Sequence, residues 1–284
     1  MPEATRQLSA TEPVKPLAAD PPPGRSLREF ALAQLDVAAG QLAREGTARH
    51  AGIHQARKSL RRVRATLALA RDALGEPGRR LDRELARLCR GLSSLRDAQA
   101  LVEALQRLAP TAPPALQAQL PQAVELAVAR REERLARALD RDPGFARRRA
   151  RLEASSSRLA GLPWDRVRKG DVAHAVGRSL RRLSRARKRV LRQPGQDERW
   201  HVLRRRLRRL RQQESLLQAV DLALRPADGV PAEEMATALG EAQDDVLLLR
   251  HCGPRSPFPP VLRRALRLVA CERLDHARAA FAGS

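Results

Sequence analysis

Residues 53 to 64 of the chain, IHQARKSLRRVR, combine one histidine with closely spaced arginines and a lysine. On an α-helix each residue turns by about 100°, which places most of these cations on the same side as His54. A guanidinium donates two parallel hydrogen bonds to phosphate oxygens and stays charged at any cellular pH. The chemistry that this face favours is therefore the capture of a phosphate-rich anion. The cations of the face are Arg57, Lys58, Arg61, Arg62 and Arg64.

The opposite side of the same helix is apolar, with Ile53, Leu60 and Val63 in a stripe that would face a core. No acidic residue occurs between residues 54 and 71, so no sequence neighbour neutralises the cations by pairing at i,i+4. A run of charge is often only a solvated helix face. An unneutralised cationic face with a matched apolar stripe predicts instead a helix that packs on a core and binds an anion.

The same pattern recurs 147 residues later, because WHVLRRRLRRLR at 200–211 aligns without a gap and places His201 on His54. A second segment supports this offset, since Asp97 in LRDAQAL aligns with Asp244 in AQDDVLL. Two anchored segments at one offset indicate the duplication of a unit of several helices. The cations that match those of the first copy are Arg204, Arg205, Arg208, Arg209 and Arg211.

Asp97 and Asp244 are not expected to touch an anionic ligand, because a carboxylate repels it. We predict that they orient the basic residues by ion pairing from a neighbouring helix. The adjacent pair Asp244 and Asp245 does not suit a metal, since neighbouring residues on a helix point about 100° apart. The other histidines and the three cysteines lack zinc-ligand spacing. The sequence therefore predicts neither a metal nor another cofactor.

Composition points to an all-α protein with an anionic partner. The chain has 55 Lys and Arg against 32 Asp and Glu, a formal net charge of +23. Such a surplus destabilises the compact state unless an anion neutralises it. Aromatic residues make up 2% of the chain, which disfavours strands and also single-stranded nucleic acid recognition by stacking. The scattered cysteines and the lack of a long apolar run predict a cytoplasmic protein without a membrane span.

Proline and glycine divide the chain into segments. Residues 1–24 are proline-rich and poor in large apolar residues, which predicts a disordered tail. Helical periodicity begins at Ser26, a predicted N-cap. The stretch from Gly161 to Gly170 is the predicted boundary between a first bundle, 25–160, and a second, 161–284. Four or five helical segments in each half suggest helix bundles.

These motifs together resemble the CHAD family, whose name stands for conserved histidine α-helical domain. The resemblance rests on the H-x-x-[RK]-[RK]-x-L-R-R-x-R helix, on LRDAQAL some thirty residues later and on the second basic copy. It covers roughly residues 25 to 281. The resemblance implies two four-helix bundles related by a pseudo-twofold axis, with basic residues of both lining a cavity and surface. It also implies binding of inorganic polyphosphate and association with polyphosphate granules.

Carried over residue by residue, the resemblance makes both basic faces, His54 and His201 included, the polyphosphate site. Whether the two histidines contact the ligand or only support the fold stays open. Two departures limit the match: Gln212 stands where family members often have tyrosine, and no E-x-E-x-K signature of a triphosphate tunnel domain occurs. The oligomeric state is not predicted.

No sequence motif for catalysis is found, because the chain lacks a glycine-rich phosphate loop, a G-x-S-x-G elbow and an H-E-x-x-H pair. We therefore predict a binding protein, not an enzyme. Two alternatives stay open at this point. One is a nucleic-acid-binding protein, for which weak non-specific binding is expected in any case. The other is a phosphohydrolase that acts on polyphosphate. Binding to membranes is not expected, since the apolar helix faces suit a bundle core.

Overall fold

A computed structural model describes residues 23–222, 233–254 and 256–282, and within these ranges the chain is helical and contains no strand. The prediction of an all-α protein is confirmed. In the same ranges, no helix is long and apolar enough to cross a membrane. The helices are α1 (Pro23–Leu42), α2 (Arg49–Leu69), α3 (Arg71–Gly91), α4 (Ser93–Leu108), α5 (Pro114–Gln117), α6 (Leu120–Arg141), α7 (Ala146–Ala160), α8 (Lys169–Arg192), α9 (Asp197–Ala219), α10 (Glu233–His251) and α11 (Pro260–Ala282).

Helix α1 begins earlier than the predicted N-cap at Ser26. Proline suits the first helical turn, and Pro23 starts the helix. The next residue must be glycine, because α1 passes very close to a 3-10 turn at Trp164–Arg166. A Cβ atom at position 24 would lie 1.8 Å from the backbone oxygen of Trp164. The prediction that the tail extends to residue 24 is therefore wrong for its last two residues. The rest of it, 1–22, lies outside the described residues.

Helical periodicity without proline over residues 78–108 predicts one helix, but the structure divides this stretch between α3 and α4. Leu92 has φ −100° and ψ 1°, so the chain leaves helical geometry between α3 and α4. Its side chain is almost fully buried, 1% exposed, which anchors the bend in the core. Gly91 precedes the bend and lowers helix propensity there. The bend matters for function because it sets the direction of α4, which carries Asp97.

The hydrophobic core mixes helices from both halves of the chain. One cluster joins Leu101 and Leu105 of α4 and Ala123 of α6 to Leu248 of α10 and Leu266 of α11. The predicted boundary at 160/161 therefore does not separate one core from another, because α4 packs against α10. The division into two bundles stays a prediction.

Two further clusters complete the core. The larger one contains residues of α1, α2, α3 and α7, and it extends to Val172 at the beginning of α8. The smaller one joins Leu183 of α8 to Leu203 and Leu207 of α9, with Phe281 of α11 at its edge. Helix α2 also packs directly against α9. The two basic segments found in the sequence are thus neighbours in the fold.

Candidate polyanion-binding site

The cationic faces of α2 and α9 meet because each helix buries its apolar stripe. Ile53, Leu60 and Val63 of α2 are at most 2% exposed, as are Leu203, Leu207 and Leu210 of α9. Each cationic face lies opposite such a stripe and is left at the surface between the helices. The predicted register of both segments therefore brings their cations together.

Arg61 and Arg208 form the centre of this arrangement. Burial, followed by the charge of Arg208, lowers the pKa of Arg61 to about 10. Burial, followed by the charge of Arg204, lowers the pKa of Arg208 to about 10. Both guanidinium groups remain protonated at neutral pH, so the folded protein holds like charges close together at a half-buried place. An anion bound there would stabilise both charges.

No counterion from the described part of the chain pairs with these two charges. Among the described residues, neither Arg61 nor Arg208 forms an ion pair or a hydrogen bond, and the buried Nε of Arg61 is unpartnered. Arg64, at the far edge of the same helix face, is different, because its Nε donates to Asp82 Oδ1 at 2.7 Å. Buried charges normally have a partner of opposite charge. Two neighbouring arginines without such a partner among the described residues therefore indicate a place for an anionic ligand.

A groove between α2, α9 and α10 gives access to Arg208, and Arg61 lies beside the residues that line it. It has a volume of about 310 Å³, and no carboxylate belongs to the described residues that line it. Its wall includes hydrogen-bonding groups from Gln212 and Ser215. A chain of phosphate groups would meet positive charge on both sides of this groove. The cations that line it are Lys58, Arg62, Arg204, Arg208 and Arg211.

A larger cavity of about 950 Å³ lies beside the N-terminal half of α2 and suits a phosphate chain less well. His54 lines it, but so do Glu103 and Glu132. His50 Nε2 donates a hydrogen bond to Glu132 Oε1 at 3.1 Å, so these two lining residues bind each other. Two carboxylates thus face this space, whereas the described lining of the smaller groove contains none.

The two predicted histidines lie in different surroundings. Burial, followed by the charge of Arg96, lowers the pKa of His54, while Glu103 opposes this effect. His54 is therefore neutral at pH 7 in the free protein. His201 is exposed, and its Nδ1 lies 3.2 Å from Oε1 of Gln243 on α10. Their direct contact with a ligand remains a prediction.

Several predicted cations are engaged by the protein itself. Arg57 Nη1 donates to the backbone oxygen of Cys89 and, at 2.8 Å, to Ser93 Oγ, which ties α2 to the bend between α3 and α4. Arg62 Nη1 donates to Gln34 Oε1 at 3.3 Å. These contacts hold part of the basic face in place instead of leaving it free.

The remaining predicted cations of α9 differ in burial. Arg205 is exposed, and its Nη2 lies 3.8 Å from Glu198 Oε1. Arg209 is half-buried on the side of α9 that faces away from the groove residues. Burial lowers the pKa of Arg209, and Asp82 partly offsets this. The predicted basic face of α9 is thus wider than the groove.

Asp97 and Asp244 form ion pairs across α4 and α10. Asp244 Oδ2 accepts a hydrogen bond from Arg107 Nη2 at 2.6 Å, and Asp97 Oδ2 lies 3.7 Å from Arg250 Nη1. Burial raises the pKa of Asp244, while Arg107 and then Arg204 oppose this. Among the described residues, neither carboxylate forms an ion pair with a predicted cation of α2 or α9, although the charge of Asp244 acts on Arg204. Their orienting role stays a prediction.

The sequence interpretation missed Arg96, which precedes Asp97 on α4. The charge of Arg96 lowers the pKa of His54, Arg61 and Arg204, so it lies near the meeting point of both basic helices. Its Nη2 is 3.3 Å from Glu103 Oε2. One signal was present: at the repeat offset of 147 residues its counterpart is Gln243, the residue that contacts His201.

The histidines also make folding stability depend on pH. His50, His54 and His251 are half-buried, and burial is the largest cause that lowers each pKa from the usual 6.5. A histidine with a lowered pKa in the folded state binds fewer protons than in the unfolded state. The stability contribution of each is therefore complete above pH 6.5 and is lost as the pH falls towards the folded pKa.

The largest such effect is expected for His251. Burial, followed by the charges of Arg134 and Arg250, lowers its pKa to about 4, and Asp97 partly opposes this. Between pH 7 and pH 4.5, the wild-type free energy of unfolding should fall by on the order of 2 kcal/mol more than that of His251→Gln. Urea denaturation at a series of pH values measures this difference.

The matched control is His174→Gln, since His174 is exposed on α8. This variant should lose stability on acidification in parallel with the wild type. A His251→Gln curve parallel to both would contradict the expected neutral state of His251 at pH 7.

The fold and the site define a class of protein: an all-helical chain in which two basic helices pack together and leave half-buried arginines without carboxylate partners among the described residues. The model of the CHAD domain family matches residues 30–253, so the chain belongs to the CHAD family. The resemblance found in the sequence is thereby confirmed.

Among solved structures, PptA from Streptomyces chartreusis is similar to this chain. The TM-score is 0.61, the sequence identity is 22%, and the match covers 92% of this chain and 98% of that one. At this identity the likeness shows the fold alone. No curated protein matches the chain.

Proposed function

We propose that this protein binds inorganic polyphosphate in the groove between α2, α9 and α10. The observation that carries the proposal is the half-buried pair Arg61 and Arg208, whose charges have no counterion among the described residues. Family membership supports the same ligand, because the resemblance implied polyphosphate. Binding is multivalent: successive phosphates engage successive cations and release bound counterions.

The shape of the groove favours a thin, flexible phosphate chain over a nucleic acid duplex. A duplex carries its phosphates on a rigid cylinder, so cations in a recess of about 310 Å³ reach few of them at once. A polyphosphate chain carries a charge on every unit and bends to follow the wall. The groove cations that are half-buried, such as Arg204 and Arg208, therefore select for such a chain.

The role that we propose is binding without catalysis, with targeting or scaffolding at polyphosphate granules as its use. The groove wall contains no carboxylate from the described residues that would hold a magnesium ion for hydrolysis. The cations Lys58, Arg62 and Arg204 neutralise phosphate charge without providing a nucleophile. Release of orthophosphate from long-chain polyphosphate in the presence of Mg²⁺ would contradict this role.

Reciprocal contacts support an origin by duplication. Asp97 of α4 reaches Arg250 of α10, and Asp244 of α10 reaches Arg107 of α4. The two aspartates are the residues that the sequence repeat aligns. A pseudo-twofold arrangement pairs equivalent helices in both directions in this way, although Arg107 and Arg250 themselves are not aligned by the repeat. We infer that the groove formed when two copies of one helical unit were fused.

A competition experiment tests the proposed ligand. Labelled polyphosphate bound to the protein is titrated with unlabelled polyphosphate or with duplex DNA at matched phosphate concentration. We expect polyphosphate to displace the label at a concentration at least tenfold lower than duplex DNA, because only the flexible chain reaches the half-buried arginines. Displacement by duplex DNA at an equal concentration would show a general nucleic-acid binder instead.

A further inference from the structure

Helix α8 carries a basic stripe that the groove does not use. After Asp171, no acidic residue occurs before residue 197. The apolar side of α8 is buried through Leu183, Ala186 and Val190, which leaves the basic side to solvent. The cations of the stripe recur along α8 and together cover about 120° of the helix surface. Its members are Arg181, Arg182, Arg185, Lys188, Arg189 and Arg192, whereas Arg178 at its N-terminal end donates a hydrogen bond to Asp72.

The stripe continues onto α9 at half-buried positions. Burial, followed by the charge of Arg182, lowers the pKa of Arg206. Burial lowers the pKa of Arg209, Asp82 partly offsets this, and the charges of Arg64, Arg206 and Arg182 lower the pKa further. Neither Arg182 nor Arg206 forms an ion pair with another residue in the part of the chain that the structure describes. Like charges thus gather where α8 meets α9, on the side of α9 away from the groove.

The equivalent contact in the first half of the chain is neutral. The buried residues Leu35 and Ala38 of α1 correspond to Leu183 and Ala186 of α8, at a constant separation of 148 residues. At that separation Gln34 corresponds to Arg182. In the first half, Arg62 donates a hydrogen bond to Gln34 at 3.3 Å.

In the second half, Arg209 takes the place of Arg62 and meets the charge of Arg182 in place of an amide. At the offset of 147 residues that relates α2 to α9, the buried Ser59 corresponds to Arg206. Repulsion has therefore replaced a neutral contact at the same location. Position 206 also changes from a small side chain to a long cation that extends towards α8. Both differences add positive charge to one half only.

We propose that α8 and α9 form a second polyanion-binding surface, the α8–α9 surface, where Arg182, Arg206 and Arg209 hold a second segment of polyphosphate chain. The proposal rests on the proposed function and extends it, because α9 then lies between two bound segments. Short chains would occupy the groove and the α8–α9 surface separately. A long chain would bind to both, or would link two protein molecules.

A flexible phosphate chain fits this surface better than other polyanions do. Arg206 and Arg209 are half-buried between helices, where a rigid duplex makes few contacts. Single-stranded nucleic acid needs aromatic side chains for stacking. The aromatic residue of α9, Trp200, already packs edge-on against Phe281, with ring centroids 4.9 Å apart. A linear polyanion without bases matches both observations.

Calorimetric titration with short polyphosphate of defined length tests the proposal. The wild type should bind two chains, and Arg182→Gln with Arg206→Gln should bind one, with the affinity of the groove changed less than twofold. A matched control, Arg147→Gln with Arg149→Gln on α7, removes the same charge from exposed positions. It should still bind two chains. Replacing Arg182 and Arg206 by lysine keeps the charge, so this variant should also bind two polyphosphate chains.

The number of chains bound distinguishes binding at the α8–α9 surface from binding in the groove, on which the proposal rests. If the wild type binds one chain, or if the glutamine variant matches the α7 control, the α8–α9 surface is not a site while the groove remains one. If the wild type binds no polyphosphate, the proposed function fails and the inference fails with it. Circular dichroism of the glutamine and lysine variants shows whether both remain folded. A folded lysine variant that binds only one polyphosphate chain would also overturn the proposal.

Discussion

Replacement of Arg61 and Arg208 together by glutamate is expected to weaken polyphosphate binding by about a thousandfold, because each charge-assisted hydrogen bond contributes roughly 1.5–3 kcal/mol and both are lost. The two reversed charges would also repel the chain at the centre of the groove. Titration calorimetry or fluorescence anisotropy with labelled polyphosphate measures the dissociation constant directly.

The control for this prediction changes net charge equally at a distance from the groove. Arg147→Glu with Arg149→Glu on α7 should weaken binding less than tenfold, since only the long-range field changes. Equal losses in both variants would mean that the net charge of +23 binds polyanions without a defined site.

Protein stability provides an independent readout for the same two residues. Arg61→Gln with Arg208→Gln removes two half-buried like charges, so the free protein should melt at the same temperature as the wild type or higher. The same variant should bind polyphosphate much more weakly. Opposite effects on stability and binding distinguish a ligand site from a structural contact. A lower melting temperature would show that the arginines support the fold.

The affinity for polyphosphate should fall about 300-fold when salt rises from roughly 50 to 200 mM. The groove is lined by Lys58, Arg62, Arg204, Arg208 and Arg211, and Arg61 lies beside them. About six phosphate contacts give a slope of the logarithm of the binding constant against the logarithm of salt of about −4 for a flexible chain. Binding measurements at a series of sodium chloride concentrations give this slope.

The salt dependence of a variant without Arg61 and Arg208 shows whether these two residues contribute to the slope. Arg61→Gln with Arg208→Gln should bring the slope closer to zero by about 1.4, because two contacts that release counterions are lost. The α7 control, Arg147→Gln with Arg149→Gln, should keep the wild-type slope. A wild-type slope near zero would contradict ionic capture altogether and would point to hydrogen bonds from neutral groups.

The sequence was a good guide to local structure and to the basic faces of the helices. Helical periodicity predicted both basic segments, and in the structure Leu60 and Leu207 face the core as expected. It did not predict that α2 and α9 pack together, because periodicity gives the buried side of a helix but not the neighbour that covers it. Arg96 was missed for the same reason, since its importance comes from the bend at Leu92 and from the packing of α4.

The location of each predicted cation also depends on tertiary contacts. His54, Arg57 and Arg61 share one side of α2 in a helical projection, yet they have different roles in the structure. Arg57 donates to Cys89 and Ser93, His54 lines the larger cavity, and Arg61 meets Arg208. Spacing along one helix cannot distinguish these roles, because they depend on residues more than thirty positions away.

Arg61 and Arg208, whose charges have no counterion among the described residues, have a consequence for the lifetime of the protein in a cell. A protein whose ligand binds only the folded state spends more time locally open when that ligand is scarce. Proteases cleave such open forms, and a change of 1–2 kcal/mol in stability alters abundance several-fold. On the proposed function, Arg61 and Arg208 would link the turnover of the chain to the supply of its ligand, and we expect more of the protein to accumulate where polyphosphate is stored than where it is absent.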